Sequence, residues 1–332
     1  MGKTMITIAF FNNKGGVGKT SLVYHLSWMF AGRGKRLISV DLDPQANLTS
    51  MFLDEDRLEE LWPDGRHPLT IDGVIEPIRR GKGDLAEPHV ETILPNLGLL
   101  AGDLSLSTFE DKLSAAWPLC HNREEAAFRT MTAFYRAIRQ AGDKADAEIA
   151  LIDVGPNLGA INRAALIASD YVVVPLGSDL FSLQGLRNLG PRLHDWRKTW
   201  QELRTKNPDP ELLLPSGNMR PVGYVSMQHA TRADRPVQAY RRWMDKIPAE
   251  YRRSVLAEPA DGDVSVERDQ HCLAMLKHYR SLMPMAMEAH KPIFLLKPAD
   301  GAIGAHVYAV RDCYTDFDNL SRKIQQAVGI ES

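Results

Sequence analysis

Short apolar runs bounded by turn residues recur along this chain, at residues 5–11, 37–41, 97–101, 149–154, 171–176 and 222–227. Near-continuous apolar runs of this length are what strands look like when both faces of a sheet are covered, as in parallel sheets. Segments with helical spacing lie between them, at 20–31, 124–140 and 162–168. Strand and helix in alternation predict an α/β fold, a mostly parallel twisted sheet with helices on both faces.

Two stretches break the alternation. Residues 53–96 are rich in Pro and Gly and only weakly periodic, so they read as loops and short helices attached to the sheet. Residues 196–264 carry several prolines, paired arginines and little strand signal, so a helical subdomain inserted into the C-terminal half of one domain spanning 1–332 is expected there. Farther on, Val307, Val310, Tyr314, Phe317, Leu320 and Ile324 fall at helical spacing after the turn-like Pro298-Ala299-Asp300-Gly301. A helix packed on the sheet is expected.

Composition narrows the classes of function. The chain has 332 residues, 44% of them apolar, and a formal charge of −2, so any contact with nucleic acid has to come from a local basic cluster. Its three cysteines, Cys120, Cys272 and Cys313, lie far apart and form no Cys-x-x-Cys pair, which points to a reducing cytoplasm. No stretch approaches the roughly 20 apolar residues that a membrane-spanning helix needs. The histidines match no metal-site spacing.

The chemistry concentrates at residues 12–21, Asn-Asn-Lys-Gly-Gly-Val-Gly-Lys-Thr-Ser, between the first strand and the first helix. Glycines at 15, 16 and 18 let backbone N–H groups close around phosphate oxygens, and the helix N-terminus adds its positive dipole end. The cradle is read as Asn13, Lys14, Gly15, Gly16, Val17, Gly18, Lys19, Thr20 and Ser21. Lys19 reaches the β- and γ-phosphates, and the Thr20 hydroxyl ligates Mg²⁺. ATP and Mg²⁺ are the expected ligands, on a P-loop NTPase fold.

Asn13 stands where the ordinary pattern G-x-x-x-x-G-K-[ST] has its first glycine. With Lys14, that departure resembles the deviant Walker A family of ParA, MinD and the nitrogenase iron protein. The resemblance implies that Lys14 acts across a dimer, reaching the nucleotide of the other subunit as an arginine finger does. Asp41-Leu42-Asp43-Pro44-Gln45-Ala46-Asn47 resembles the first switch segment of the ParA branch, implying that Asp43 positions the attacking water and Asp41 contacts the metal shell. The run 149–156 ends in Asp153, which reads as a Walker B carboxylate near Mg²⁺, followed by Val154-Gly155-Pro156 where the family usually has x-Pro-Pro. Likeness to the ParA branch continues through Phe181-Ser182-Leu183-Gln184-Gly185-Leu186 and covers most of residues 5–190.

By this resemblance the chain dimerises on ATP, grips DNA non-specifically and is released when a ParB-like protein stimulates hydrolysis. Arg232, Arg235, Arg241 and Arg242 are the candidate DNA contacts, within a basic run 220–253 that also holds Tyr240 and Trp243. Because residue 5 already opens the first strand, no helix-turn-helix ahead of it is expected. A MinD-like membrane positioner would carry a basic amphipathic tail, and residues 317–332 offer only Arg322 and Lys323 as cations. An iron–sulfur carrier would need cysteines in a matching context, and a mobile-element subunit acting through proteins would use 196–264.

Overall fold

The computed structural model describes residues 5–177, 179–228, 243–259, 264–277, 279 and 281–330. Its eight strands form one sheet in the order β3-β4-β2-β5-β1-β6-β7-β8. All six expected strands are present: β1 (Ile6–Phe10), β2 (Leu37–Leu42), β4 (Leu97–Leu100), β5 (Ile149–Val154), β6 (Tyr171–Gly177) and β7 (Arg220–Gln228). Two more, β3 (Glu91–Leu94) and β8 (Cys272–Lys277), form the edges and are partly exposed; in β3 Glu91 and Thr92 also interrupt the apolar run. Every pairing is parallel except β3 with β4.

Alternation along β1 divides the core into two layers. Ile8 and Phe10 join Leu22, Leu26 and Phe30 of α1 (Lys19–Gly32) and Phe317 and Leu320 of the helix Ala305–Val328. Ala9 and Phe11 join Phe134 and Ile138 of α7 (Ala133–Lys144) and Leu166 of α8 (Ala160–Ile167) on the other face. Before these come the short helices α2 (Asn47–Phe52), α3 (Glu55–Leu61), α4 (Ile71–Arg79) and α5 (Glu110–His121).

The helix expected over 124–140 is two helices, α6 (Glu125–Met131) and α7, meeting at Thr132. The Thr132 hydroxyl donates to the Phe128 carbonyl at 2.8 Å and accepts from Arg136 Nε at 3.2 Å. A threonine bonding back onto its own helix bends it.

Residues 196–204 complete α9 (Leu180–Arg204), and β7 is an interior strand of the sheet. Within 196–264, the helical residues beyond α9 therefore lie between 243 and 256 among the described ones. They close on α9, where a Cβ on Gly190 would stand 1.8 Å from the Ser254 carbonyl oxygen. Only a glycine permits that approach.

β1 lies between β5 and β6; the chain runs from β1 to β2 on one side and later crosses from β5 to β6 on the other. The crevice at the C-terminal end of β1 is where open α/β sheets hold ligands.

Candidate functional site

The loop 12–18 leaves β1 and enters α1 through Gly18, whose φ of 82° is left-handed, as is the 72° of Gly16. A side chain is strained in that conformation, and a Cβ on Gly18 would also stand 3.0 Å from the Met227 methyl. α1 starts with no side-chain cap and no acidic residue in its first turn. Its first N–H groups and dipole end are therefore left for an anion. Asn12 fixes the loop from behind, accepting from Lys14 N at 3.0 Å and donating to the Pro175 carbonyl at 2.7 Å. Asn13 packs beside α9, where a Cβ on Gly185 would approach its Oδ1 to 2.9 Å.

In front of the loop lies a cleft of about 1150 Å³ bordered by Gly15, Gly16, Lys19, Thr20, Asp43 and Pro156. Ser21 also borders it, whereas Val17 is buried behind the loop. Lys19 is 6% exposed and its ammonium donates to the Lys14 carbonyl at 3.3 Å. Burial lowers its pKa, and the charges of Asp153 and Asp43 oppose that shift.

Register brings the carboxylates together, because Asp41 of β2 is the direct neighbour of Asp153 of β5. Both are fully buried. Burial pushes Asp41 up to about 7, against the bonds it accepts from Thr49 N and Thr49 Oγ1, each 2.8 Å, and from Asp43 N at 3.2 Å. Asp41 thus holds the turn 43–49 onto β2, a contact the sequence did not assign to it or to Thr49. Asp153 differs, because neither of its buried oxygens accepts a hydrogen bond. Burial and then the Asp41 charge push its pKa well up, with the Thr20 hydroxyl opposing. A buried carboxylate with both oxygens unpaired, beside a threonine hydroxyl, fits a divalent cation.

Asp43 is 7% exposed and its Oδ1 accepts from Gln45 N at 3.0 Å. The turn is completed by Ala46, whose φ of 51° is rare for a residue with a Cβ. Gly155 faces this carboxylate, and a Cβ there would stand 3.3 Å from Asp43 Oδ1. Behind Gly155, Asn162 Nδ2 donates to the Gly155 and Asn157 carbonyls at 2.7 and 2.6 Å. Glu110 of α5 caps the N-terminus of α8, accepting from Ala160 N and Ile161 N at 2.5 and 2.8 Å.

Lys14 stands apart from this cluster. Its ammonium pairs with Asp179 and lies 5.8 Å from the centre of the Phe181 ring. The predicted DNA contacts Arg232, Arg235, Arg241 and Arg242, with Tyr240, lie outside the described residues. Two other members of that basic run are engaged, Arg252 with Asp269 at 3.0 Å and Arg253 with Glu250 at 4.0 Å. Among the described residues no helix is long and apolar enough to cross a membrane.

A glycine loop between strand and helix, a buried lysine behind it and carboxylates on the two neighbouring strand ends define a P-loop nucleotide site. A family profile described as an AAA domain matches residues 5–205, and the chain belongs to that family. The relatives the chain resembles carry the names IncC, Soj and ParA. It is similar to Protein IncC of Escherichia coli, with 29% identity over 187 residues, 56% of this chain and 45% of that protein. It is also similar to the chromosome partitioning protein ParA of Caulobacter vibrioides, with 31% identity over 182 residues, 55% of this chain and 60% of that one. The match therefore spans about half the length of these relatives. A crystal structure of a protein from Corynebacterium diphtheriae shares the fold at a TM-score of 0.72 and 23% identity, covering 98% of this chain and 99% of that one.

Proposed function

We propose that this chain is an ATP-driven switch in DNA partitioning. It binds ATP with Mg²⁺ on residues 13–21, pairs with a second copy of itself, holds DNA non-specifically and lets go when a ParB-like partner stimulates hydrolysis. The observation that carries this reading is the different placement of the loop's two lysines. Lys19 is buried at its own cleft, whereas Lys14 is turned to α9 and is absent from the cleft lining. A cation that does not face its own nucleotide can serve another once its ion pair with Asp179 is exchanged.

In this reading Gly15, Gly16 and Gly18 present backbone N–H groups to the phosphates, and Lys19 balances their charge. Thr20 and Asp153 hold the metal, Asp153 most simply through water, and Asp41 keeps the Asp43 segment in place behind it. Bound Mg²⁺ supplies charge neutralisation for the phosphoryl group. Asp43 orients the attacking water and serves as an acceptor for its proton. With no strongly basic group at that position, turnover is slow. A second, smaller cavity of about 150 Å³, bordered by Gly18, Met227, Leu276 and Met283, lies at the carboxyl ends of β7 and β8 and suits the base.

The test is size-exclusion chromatography with light scattering in ADP, ATP and no nucleotide. Wild type is expected to dimerise only with ATP. Asp43→Ala is expected to lose hydrolysis by about 100-fold or more and hold the dimer, and Lys14→Ala to remain monomeric. Dimers in both variants that form and decay as in the wild type would overturn the mechanism.

A further inference from the structure

The contact between Lys14 and Asp179 has features of a latch. Asp179 is the N-cap of α9, and its two oxygens do different work: Oδ1 accepts from Ser182 N at 2.9 Å, while Oδ2 takes the Lys14 ammonium. Gly177 lies beneath the pair, where a Cβ would stand 3.3 Å from Asp179 Oδ2 and 3.6 Å from Lys14 Nζ. The first of those distances, with the 3.2 Å to Ser182 Oγ, is tight enough that the carboxylate has to give by a few tenths of an ångström. Immediately beyond the pair, Leu180 is 39% exposed and Phe181 65% exposed, a forward-facing apolar step at the start of α9.

We propose that Asp179 parks Lys14, and that exchange of this carboxylate for a phosphate on a second copy of the chain couples ATP binding to pairing, with Leu180 and Phe181 covered as the copies meet. This rests on the dimeric reading above. A lysine with a counterion is a poor recruit for an incoming anion, because the phosphate has to displace the carboxylate. A triphosphate carries more negative charge than a diphosphate at the same position, so it competes better for the ammonium. The latch thereby sets a threshold for pairing that a triphosphate clears more readily than a diphosphate. Burial would raise the Asp179 pKa, but Lys14 and the Ser182 N–H outweigh it and hold the carboxylate below its usual range. It stays a charged competitor at neutral pH.

Asp179→Asn separates the two roles, since an asparagine keeps the cap acceptor and loses the charge. With a non-hydrolysable ATP analogue, sedimentation equilibrium is expected to show this variant dimerising about fivefold more tightly than wild type, the range of a partly exposed ion pair. Gly177→Ala, which crowds the pair apart without touching either charge, is expected to shift the dimer constant in the same direction. Phe181→Asp is expected to weaken it. Asp179→Asn should also dimerise measurably with ADP. A wild type that dimerises while both Asp179→Asn and Gly177→Ala match it or bind less tightly overturns the latch and leaves the proposed function standing. A wild type that stays monomeric with the analogue overturns both.

Discussion

At the scale of single residues, the clearest case is Gly155. The sequence shows Asp-Val-Gly-Pro where the family usually has a proline before the last, and extra backbone freedom is the reason that sequence alone offers. The structure supplies a different one, the 3.3 Å separation between a Cβ at 155 and Asp43 Oδ1. Gly155→Ala is expected to displace the Asp43 carboxylate by a few tenths of an ångström and slow ATP hydrolysis by about three- to tenfold, since misplacement by about 1 Å costs roughly 100-fold. Steady-state phosphate release at saturating ATP checks this, with nucleotide affinity expected to hold. Asp41 teaches a similar lesson. Its position after an apolar run was legible, but its commitment to Thr49 was not, because that contact is made by α2 folding back onto β2.

Among the elements, α1 is tied to the far end of the chain by one imidazole. His25 is 1% exposed, accepts from Ile293 N at 3.1 Å through Nε2 and donates to the Ser21 carbonyl at 2.7 Å through Nδ1. It also stacks on Phe317 with ring centres 4.9 Å apart. An acceptor at Nε2 has no proton there, so the ring is held neutral. Burial, opposed by the Ser21 carbonyl, lowers its pKa from 6.5 to about 4. The unfolded chain therefore binds a proton more readily than the folded one between pH 6.5 and 4, and stability is lost as pH falls through that window. The loss amounts to about 3 kcal/mol at its acid end. Asp41, raised by burial, acts in the opposite sense between 3.8 and about 7, so the useful comparison is between slopes. Urea unfolding of His25→Gln and wild type at pH 7 and pH 4.5 is expected to show the variant losing less stability on acidification. Nothing in residues 20–31 marked His25 for this role, because its partner is 268 positions away.

For the whole molecule, the sheet order brings the glycine loop, Asp43 and Asp153 to one edge, and Lys14 faces out of it. In the proposed switch, pairing closes two such edges on each other and DNA contact follows only in the paired state. Filter binding to unrelated duplexes is expected to be retained with ATP, weak with ADP, and to fall steeply as salt is raised. Changing Arg241 and Arg242 to Ala is expected to reduce both the affinity and the salt slope, and unaltered binding would place the DNA surface elsewhere. The local chemistry was determined by sequence: which strands are buried, where the phosphate loop lies and which carboxylates end the neighbouring strands. These follow from short-range patterns of hydrophobicity, glycine and charge, which one stretch of chain carries by itself. The edge strands β3 and β8, the break at Thr132, the pairing of Lys14 with Asp179 and the fit of Gly155 against Asp43 were decided only by tertiary structure. Each depends on a contact between segments distant in the chain or on a competing local hydrogen bond, and burial there rewards particular shapes and partners that no periodicity encodes.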